Sequence, residues 1–346
     1  MPVTLQDIAT KLGVSVATVS RALAGYSGVA PTTRQRVLQA AREMGYHPNV
    51  TARRLQKQRT DTIGFIIPTF GPRFSDPYFS ELLASIGNAA GEQDYDVLVS
   101  TCSPDTPSEA QAYERFVQGR RVDGTLVVRT REHDARITYL LEQQFPFVAF
   151  GRSRMEDGFC YVDVDGTAGI REATQHLINL GHRRIAIILP PENLMFAHYR
   201  RLGFEEAMSE AGLSIEQTLV KHGDLTERSG YEVGRAFLTR DDPPSAIVAC
   251  NDLMALGVIS AAQGLGLTVG RDVAVTGFDD VSLAAHSHPP LTTVRQPVYE
   301  IGQRICEMLI HLLQGETLEE RHVILQPQLI VRESCGASAS QGVMRR

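Results

Sequence analysis

Hydrophobic positions along the chain change their spacing partway through. From Leu5 to Leu23 (LQDIATKLGVSVATVSRAL) they recur every three or four residues, in two short runs separated by Gly13. Leu5, Ile8, Ala9 and Leu12 form the inner face of one predicted helix, and Val19 and Leu23 that of a second. Thr4 and Asp7 are spaced as a capping box ahead of the first run, and Ser15 is placed to cap the second. The outer face of the second helix carries Val16, Ala17, Thr18, Ser20 and Arg21. Two short helices joined by a tight turn predict a helix-turn-helix, whose second helix enters the DNA major groove. Helical spacing continues from Pro31 to Met44, with Pro at the first position and Val37, Leu38, Ala41 and Met44 facing inward. Gly45 ends that helix.

The segment from Asn49 to Arg59 (NVTARRLQKQR) is basic and poor in core-forming residues. It is either a plain linker or a short helix that folds on contact with DNA. In the second case the lone apolar Leu55 is placed to wedge between base steps, while Arg and Lys neighbours hold phosphates.

From Thr62 the pattern is different. Thr62 to Pro68 (TIGFIIP) is a nearly continuous apolar run, as in a buried parallel strand. Helical and strand patterns then alternate. Strands are expected at Asp96–Ser100, Gly124–Val128, Phe147–Phe150, Arg184–Leu189, Leu219–Lys221, Ala246–Cys250 and Val273–Phe278. This predicts open parallel α/β sheets, in two similar halves in tandem. A further helix is expected over Val298–Leu313 and one late strand over Val323–Val331. The small, polar stretch from Ser334 to Arg346 is expected to be disordered. Open α/β halves place a ligand outside the carboxyl ends of their strands. The residues to inspect there are Phe74–Phe79, Gly151–Arg152, Pro190–Arg200, Asn251–Asp252 and Asp279–Asp280.

Charge sharpens this division. The chain of 346 residues carries a net charge of −6. Residues 1–60 hold nine Lys and Arg against Asp7 and Glu43, a net +7, so the remainder carries −13. A basic segment containing a helix-turn-helix, joined to an acidic α/β region, is the footprint of a DNA-binding domain fused to something else. The five cysteines are scattered without C-x-x-C spacing, which points to reduced thiols and proposes neither a disulfide frame nor a zinc site. No signal peptide or membrane-spanning run is evident, so a cytoplasmic protein is expected.

Several motifs together resemble the LacI/GalR family of bacterial repressors. TLQDIATKLGVSVATVSRAL is similar to the family's signature, TTRQRVLQAAREMGYHPN to its third helix and exit, and ARRL to its hinge helix. GHRRIAII, ACNDLMALG, VTGFDD and PPLTTVRQP resemble later landmarks, so the likeness spans roughly residues 3 to 332. FSDPYFSELL and Phe150–Gly151–Arg152 are most similar to regulators of α-glucoside or other oligosaccharide operons.

The resemblance implies a helix-turn-helix domain over 1–48, a hinge helix or linker over 49–60, and a two-lobed, periplasmic-binding-protein-like effector and dimerisation domain over 61–332. A disordered tail over 333–346 completes the expected organisation. It further implies that Thr4, Ser15, Thr18 and Asn49 contact phosphates, with Ser20, Ala52 and Arg53 also at the DNA. Val16, Ala17 and Arg21 fall at base-reading positions, and Leu55 becomes the minor-groove wedge. Arg21 can hydrogen-bond guanine, whereas Val16 and Ala17 offer apolar contact. The implied partners are a near-palindromic double-stranded operator, a second copy of the chain and a small sugar, with no membrane, cofactor or metal. Ala24 and Ala30 depart from the family's usual Asn and Ser, and Gly166 from a common Asn. The optional C-terminal leucine heptads are absent, so a dimer is expected.

Effector positions implied by the resemblance are Asp76, Phe79, Arg152, Asp165, Arg200, Asn251, Asp279 and Gln296. Forked Arg donors beside carboxylates can grip neighbouring hydroxyls, and an aromatic ring can cover a sugar face. Asn251 has a second reading as the N-cap of the following helix. Asp280 is expected to be structural, and His182 to serve a cap or the core. Competing classes fare worse. Gly264–Leu265–Gly266 follows a helix rather than a strand, which argues against a dinucleotide enzyme, and no nucleophile motif is present. A purine co-repressor on the same fold, or a solute receptor, are the alternatives; the latter needs no basic helical segment.

Overall fold

The computed structural model describes residues 3–23, 25, 27–46, 59–69, 76–155 and 158–337. It divides into two compact units, residues 1–60 and 61–346.

The first unit contains α1 (Leu5–Leu12), α2 (Val16–Leu23) and α3 (Pro31–Glu43). The capping box at α1 is complete: the Thr4 hydroxyl accepts from the Asp7 N–H, and the Asp7 carboxylate accepts from the Thr4 N–H. Gly13, at φ +64°, ends α1 in the left-handed region that glycine tolerates. Ser15 Oγ accepts from the Thr18 N–H at 3.1 Å and so caps α2. Ile8, Ala9, Val19, Ala22, Val37, Ala40 and Ala41 form the core. Leu38, expected inward, is instead exposed, because α3 turns Val37 and Ala41 inward and brings Ala40 in with them. Ala30 gives α3 no side-chain cap, as its residue type requires.

The second unit has two lobes. In chain order its elements are β1 (Thr62–Pro68), α4 (Pro77–Glu92), β2 (Asp96–Cys102), α5 (Pro107–Val117), β3 (Gly124–Val128), α6 (Ala135–Glu142), β4 (Phe147–Phe150), β5 (Cys160–Val164), α7 (Gly166–Asn179), β6 (Ile185–Leu189), α8 (Met195–Glu210), β7 (Val220–His222), α9 (Glu227–Leu238), β8 (Ala246–Ala249), α10 (Asp252–Gly264), β9 (Ala274–Asp279), α11 (Ser282–His286), β10 (Thr292–Arg295), α12 (Val298–Gln314), β11 (His322–Leu325) and β12 (Gln328–Ile330).

Lobe 1 is a parallel sheet in the order β2-β1-β3-β4-β5-β11, and lobe 2 a sheet in the order β7-β6-β8-β9-β10-β12. Only β12 runs antiparallel to its neighbour among the described strands. The central strands are buried along their length, as their continuous apolar runs require. In lobe 2, Gly230 and Gly257 let α9 and α10 approach closely. A Cβ at either position would lie 2.1 or 2.0 Å from a backbone oxygen of the facing helix.

Three findings correct the sequence reading. The halves are not simply in tandem: the chain crosses between lobes after β5, after β10 and after β11, and α12 and β11 return to complete lobe 1. The single late strand is two strands in different sheets, separated at Gln326–Pro327 because proline cannot donate to a ladder. The start of the expected tail is packed. Ser334 is fully buried, its hydroxyl donating to Val275 O at 2.7 Å and accepting from the Thr292 N–H at 2.8 Å, and Cys335 is buried beside it. Residues 338–346 lie outside the described residues.

Candidate functional site

Helical geometry places the outer residues of α2 on one arc. At about 100° per residue, Val16, Ser20, Ala17 and Arg21 span about 140°, with Val19 and Ala22 buried on the opposite side. Val16, Ala17 and Arg21 are exposed, and Thr18 and Ser20 are half-buried. Thr4 and Ser15 are also exposed and hold the starts of α1 and α2 through their caps. Asn49, Ala52, Arg53 and Leu55 lie outside the described residues.

Within the second unit a cleft of about 750 Å³, its solvent-open mouth included, lies between the carboxyl ends of the two sheets. Asp76, Phe79, Arg152, Arg200, Asn251, Asp279 and Gln296 all line it. Three arginines dominate, and each is held twice. Arg129 pairs with Asp76 at 2.7 Å and lies 4.9 Å from the Phe79 ring. Arg152 pairs with Asp163 at 2.7 Å and sits 3.5 Å over the Tyr199 ring. Arg200 lies 4.0 Å from Asp279, with Phe278 at 3.9 Å and Phe196 at 4.6 Å from its guanidinium carbon. Each guanidinium therefore has a carboxylate at its edge and a ring on its face, which fixes its plane. With all three carboxylates ionised the three cations are balanced, and protonation of Asp279 leaves one positive charge in excess.

The local sequence explains these placements. Asp76 caps α4, its Oδ1 accepting from the Tyr78 N–H, so its other oxygen is free to reach Arg129. Arg200 lies on the second turn of α8 and donates to Cys250 O; its buried Nε has no hydrogen-bond partner among the described residues. Asp279 ends β9 at φ +124°, an unusual conformation for a non-glycine residue and one that clusters at functional sites. Gln296 donates to Asp279 Oδ1 at 2.6 Å. Burial raises the pKa of Asp279 to about 7, against the opposing pull of Arg200, and the nearby Asp76 adds to the rise. Burial also pushes Asp76 and Asp163 above the usual carboxylate range.

Asp165 departs from expectation: it does not line the cleft. It is the first residue beyond β5, and its Oδ1 accepts from the Ala168 N–H as the cap of α7. Asp163, two residues earlier, faces the cleft instead. Asn251 does line it, yet its oxygen caps α10 and its amide donates to Leu225 O at 3.0 Å. Asp280 is held by Arg295 and Arg332 at 2.7 and 2.6 Å, a structural role. His182 bonds Ser245 Oγ at 3.0 Å and is not among the residues that line the cleft. Tyr78, Phe196 and Tyr199 fall within the stretches singled out beyond strand ends, and Phe278 within VTGFDD, but the sequence reading names none of them as a ligand position; Arg129 and Asp163 it misses altogether. Arg129 immediately follows β3, so the strand-end rule applied to that strand would have found it.

A helix-turn-helix unit followed by a two-lobed α/β unit with a polar, ring-lined cleft defines a ligand-responsive DNA-binding regulator. Comparison with known proteins gives the family. Residues 4–49 match the bacterial regulatory proteins, lacI family, and residues 174–335 a periplasmic binding protein-like domain. The chain is 36% identical over 334 residues to the HTH-type transcriptional regulator CelR of Thermobifida fusca, covering 96% of this chain and 98% of that protein. It is 38% identical to AglR of Rhizobium meliloti, covering 97% and 95%. Among solved structures, a CelR–cellobiose complex matches with a TM-score of 0.75 at 35% identity, covering 96% of this chain and 99% of that one. The lac repressor dimer bound to operator and the anti-inducer ONPF matches with a TM-score of 0.84 at 27% identity, covering 97% and 100%. The chain belongs to the LacI family and is a transcriptional regulator. Among the described residues no helix is long and apolar enough to cross a membrane.

Proposed function

We propose that this regulator represses a carbohydrate-utilisation operon. It binds a near-palindromic operator as a homodimer in the cytoplasm and responds to a neutral mono- or oligosaccharide held between its lobes. The observation that carries the sugar is the triple set of arginine, carboxylate and ring: Arg129–Asp76–Phe79, Arg152–Asp163–Tyr199 and Arg200–Asp279–Phe278. Such sets offer paired donors and acceptors to vicinal hydroxyls and flat apolar faces to sugar rings. A phosphate or carboxylate would have to compete with the buried ion pairs of Arg129 and Arg152, which favours an uncharged ligand. The solved complex of the relative CelR with cellobiose supports the class.

In this reading residues 1–48 read DNA, with Val16, Ala17 and Arg21 at base edges and Thr4, Ser15, Thr18 and Ser20 at the backbone. Residues 49–60 form the hinge, with Asn49, Ala52 and Arg53 at the DNA and Leu55 as its minor-groove wedge. Residues 61–332 sense and dimerise. The chain performs no catalysis. The cleft acts through Asp76, Phe79, Arg152, Arg200, Asp279 and Gln296 of the expected set, joined by Arg129, Asp163, Tyr199 and Phe278. Asp165 and Asn251 serve chiefly as helix caps.

The test is a selection from randomised duplex DNA with the full chain, repeated with cellobiose and other neutral sugars. The reading expects a two-fold symmetric sequence whose affinity changes with one of those sugars. No enriched sequence would overturn the DNA-binding assignment. An enriched sequence sensitive to purine bases but to no sugar would replace the effector.

A further inference from the structure

Outside the cleft, lobe 1 holds a buried charged cluster that neither DNA reading nor the cleft uses. Arg131 donates to both oxygens of Glu109 at 2.9 and 2.8 Å. Arg136 donates to Asp134 at 2.9 and 2.6 Å and to the carbonyls of Val128 and Arg129. All four side chains are buried. A buried network of this kind is costly unless fully satisfied, and what it fixes is the backbone that carries it. Here that backbone is residues 128–134, the loop leaving β3.

The same loop is the one that reaches the other lobe. Thr130 O accepts from the Met195 N–H at 2.9 Å, and the Glu132 N–H donates to Asn193 O at 3.1 Å. Arg131 and Leu194 thereby form an isolated antiparallel bridge between lobes. Asn193 Nδ2 also donates to Asp105 Oδ2 at 3.0 Å, and Asp105 Oδ1 lies 3.0 Å from Arg131 Nε, which ties the bridge back to the cluster. On the cleft side, Thr130 and Phe196 flank this bridge and both line the cleft.

We propose that the pairing of residues 130–132 with 193–195 is an inter-lobe clasp, held in position by the Glu109–Arg131–Asp134–Arg136 cluster, which sets how far the lobes open. A ligand entering the cleft then draws on the clasp-open population, and apparent affinity carries the cost of opening. The clasp acts on the lobes themselves, whether the ligand is a sugar or not.

Met195 allows a clean test, because it is the first residue of α8 and is preceded by Leu194 in extended conformation. Proline is tolerated at that position and after such a residue. Met195→Pro therefore removes one inter-lobe donor, while Met195→Ala removes the same side chain and keeps the donor. In the full chain, exposed Glu142 of lobe 1 and Asp241 of lobe 2 are replaced by spin-labelled cysteine, the five native cysteines being buried. The expected result is a rise of about fivefold in the long-distance population for the proline variant relative to the alanine variant. Equal distance distributions in the two overturn the clasp. Should the proline variant not fold, Asn193→Ala decides by amide exchange: joint acceleration at Glu132 and Met195, on opposite lobes, is expected. No acceleration at either, or acceleration at one alone, overturns the proposal.

Discussion

The guanidinium of Arg152, carried by lobe 1, lies 3.5 Å over the ring of Tyr199, carried by lobe 2. Arg152 is itself fixed by Asp163 at 2.7 Å, so the contact joins a rigid donor on one lobe to a ring on the first turns of α8 on the other. It is a second inter-lobe link, made through side chains where the clasp uses backbone. Replacing Tyr199 by Ala should cost about 1–2 kcal/mol of stability, the worth of a desolvated cation–π contact, whereas Tyr199→Phe keeps the ring and should cost less. Thermal unfolding of the two variants checks this, and equal losses would show that the hydroxyl rather than the ring matters.

The raised pKa of Asp279 makes a signed prediction. In the unfolded chain an aspartate titrates near 4, whereas in the folded protein burial holds Asp279 protonated until about pH 7. Between those values the folded state binds the extra proton, so this group's contribution to stability falls as pH rises from about 4 to 7 and is level above. Asp279→Asn cannot titrate. Its melting temperature relative to the unsubstituted protein should therefore climb across that window and then flatten. Parallel curves from pH 4.5 to 8 would show that Asp279 does not titrate in that window.

If Leu55 is the minor-groove wedge proposed above, Leu55→Ala should weaken operator binding about tenfold or more. Affinity of the DNA-free protein for its effector should stay nearly unchanged. Fluorescence anisotropy on the selected duplex measures the first and calorimetry the second. An unaltered operator affinity contradicts the wedge.

Legibility in the sequence followed the strength of the local signal. The capping box at Thr4–Asp7, the Ser15 cap and the continuous apolar runs of β1, β3, β6 and β8 are local rules, and each produced the element expected. Strands β5 and β10 escaped notice, and with β5 went Asp163. CYVDV and TTVR mix polar with apolar residues, and their burial comes from neighbours far away in sequence. The return of α12 and β11 to lobe 1 is likewise a matter of tertiary pairing that periodicity does not encode. Asp165 misled because residues after strands serve two needs, facing a ligand or capping the next helix, and here the cap took the carboxylate. The buried ends of the three arginine pairs were half legible. Arg152, Asp76, Phe278 and Asp279 stand in recognisable motifs and Tyr199 and Arg200 in a stretch beyond a strand end, whereas Arg129 stands out only once the lobes face each other.

The central claim is that a neutral sugar is held by the arginine–carboxylate–ring sets of the cleft. The most direct measurement is a thermal-shift screen of the full chain against cellobiose, other neutral mono- and oligosaccharides, sugar phosphates and purine bases, in parallel with Arg200→Ala. A ligand at a hundred times its dissociation constant stabilises by about 2.7 kcal/mol, well within reach of such a screen. The account predicts a shift with a neutral sugar that disappears in Arg200→Ala. A shift with a sugar phosphate or purine alone, or a sugar shift that survives in Arg200→Ala, would contradict it.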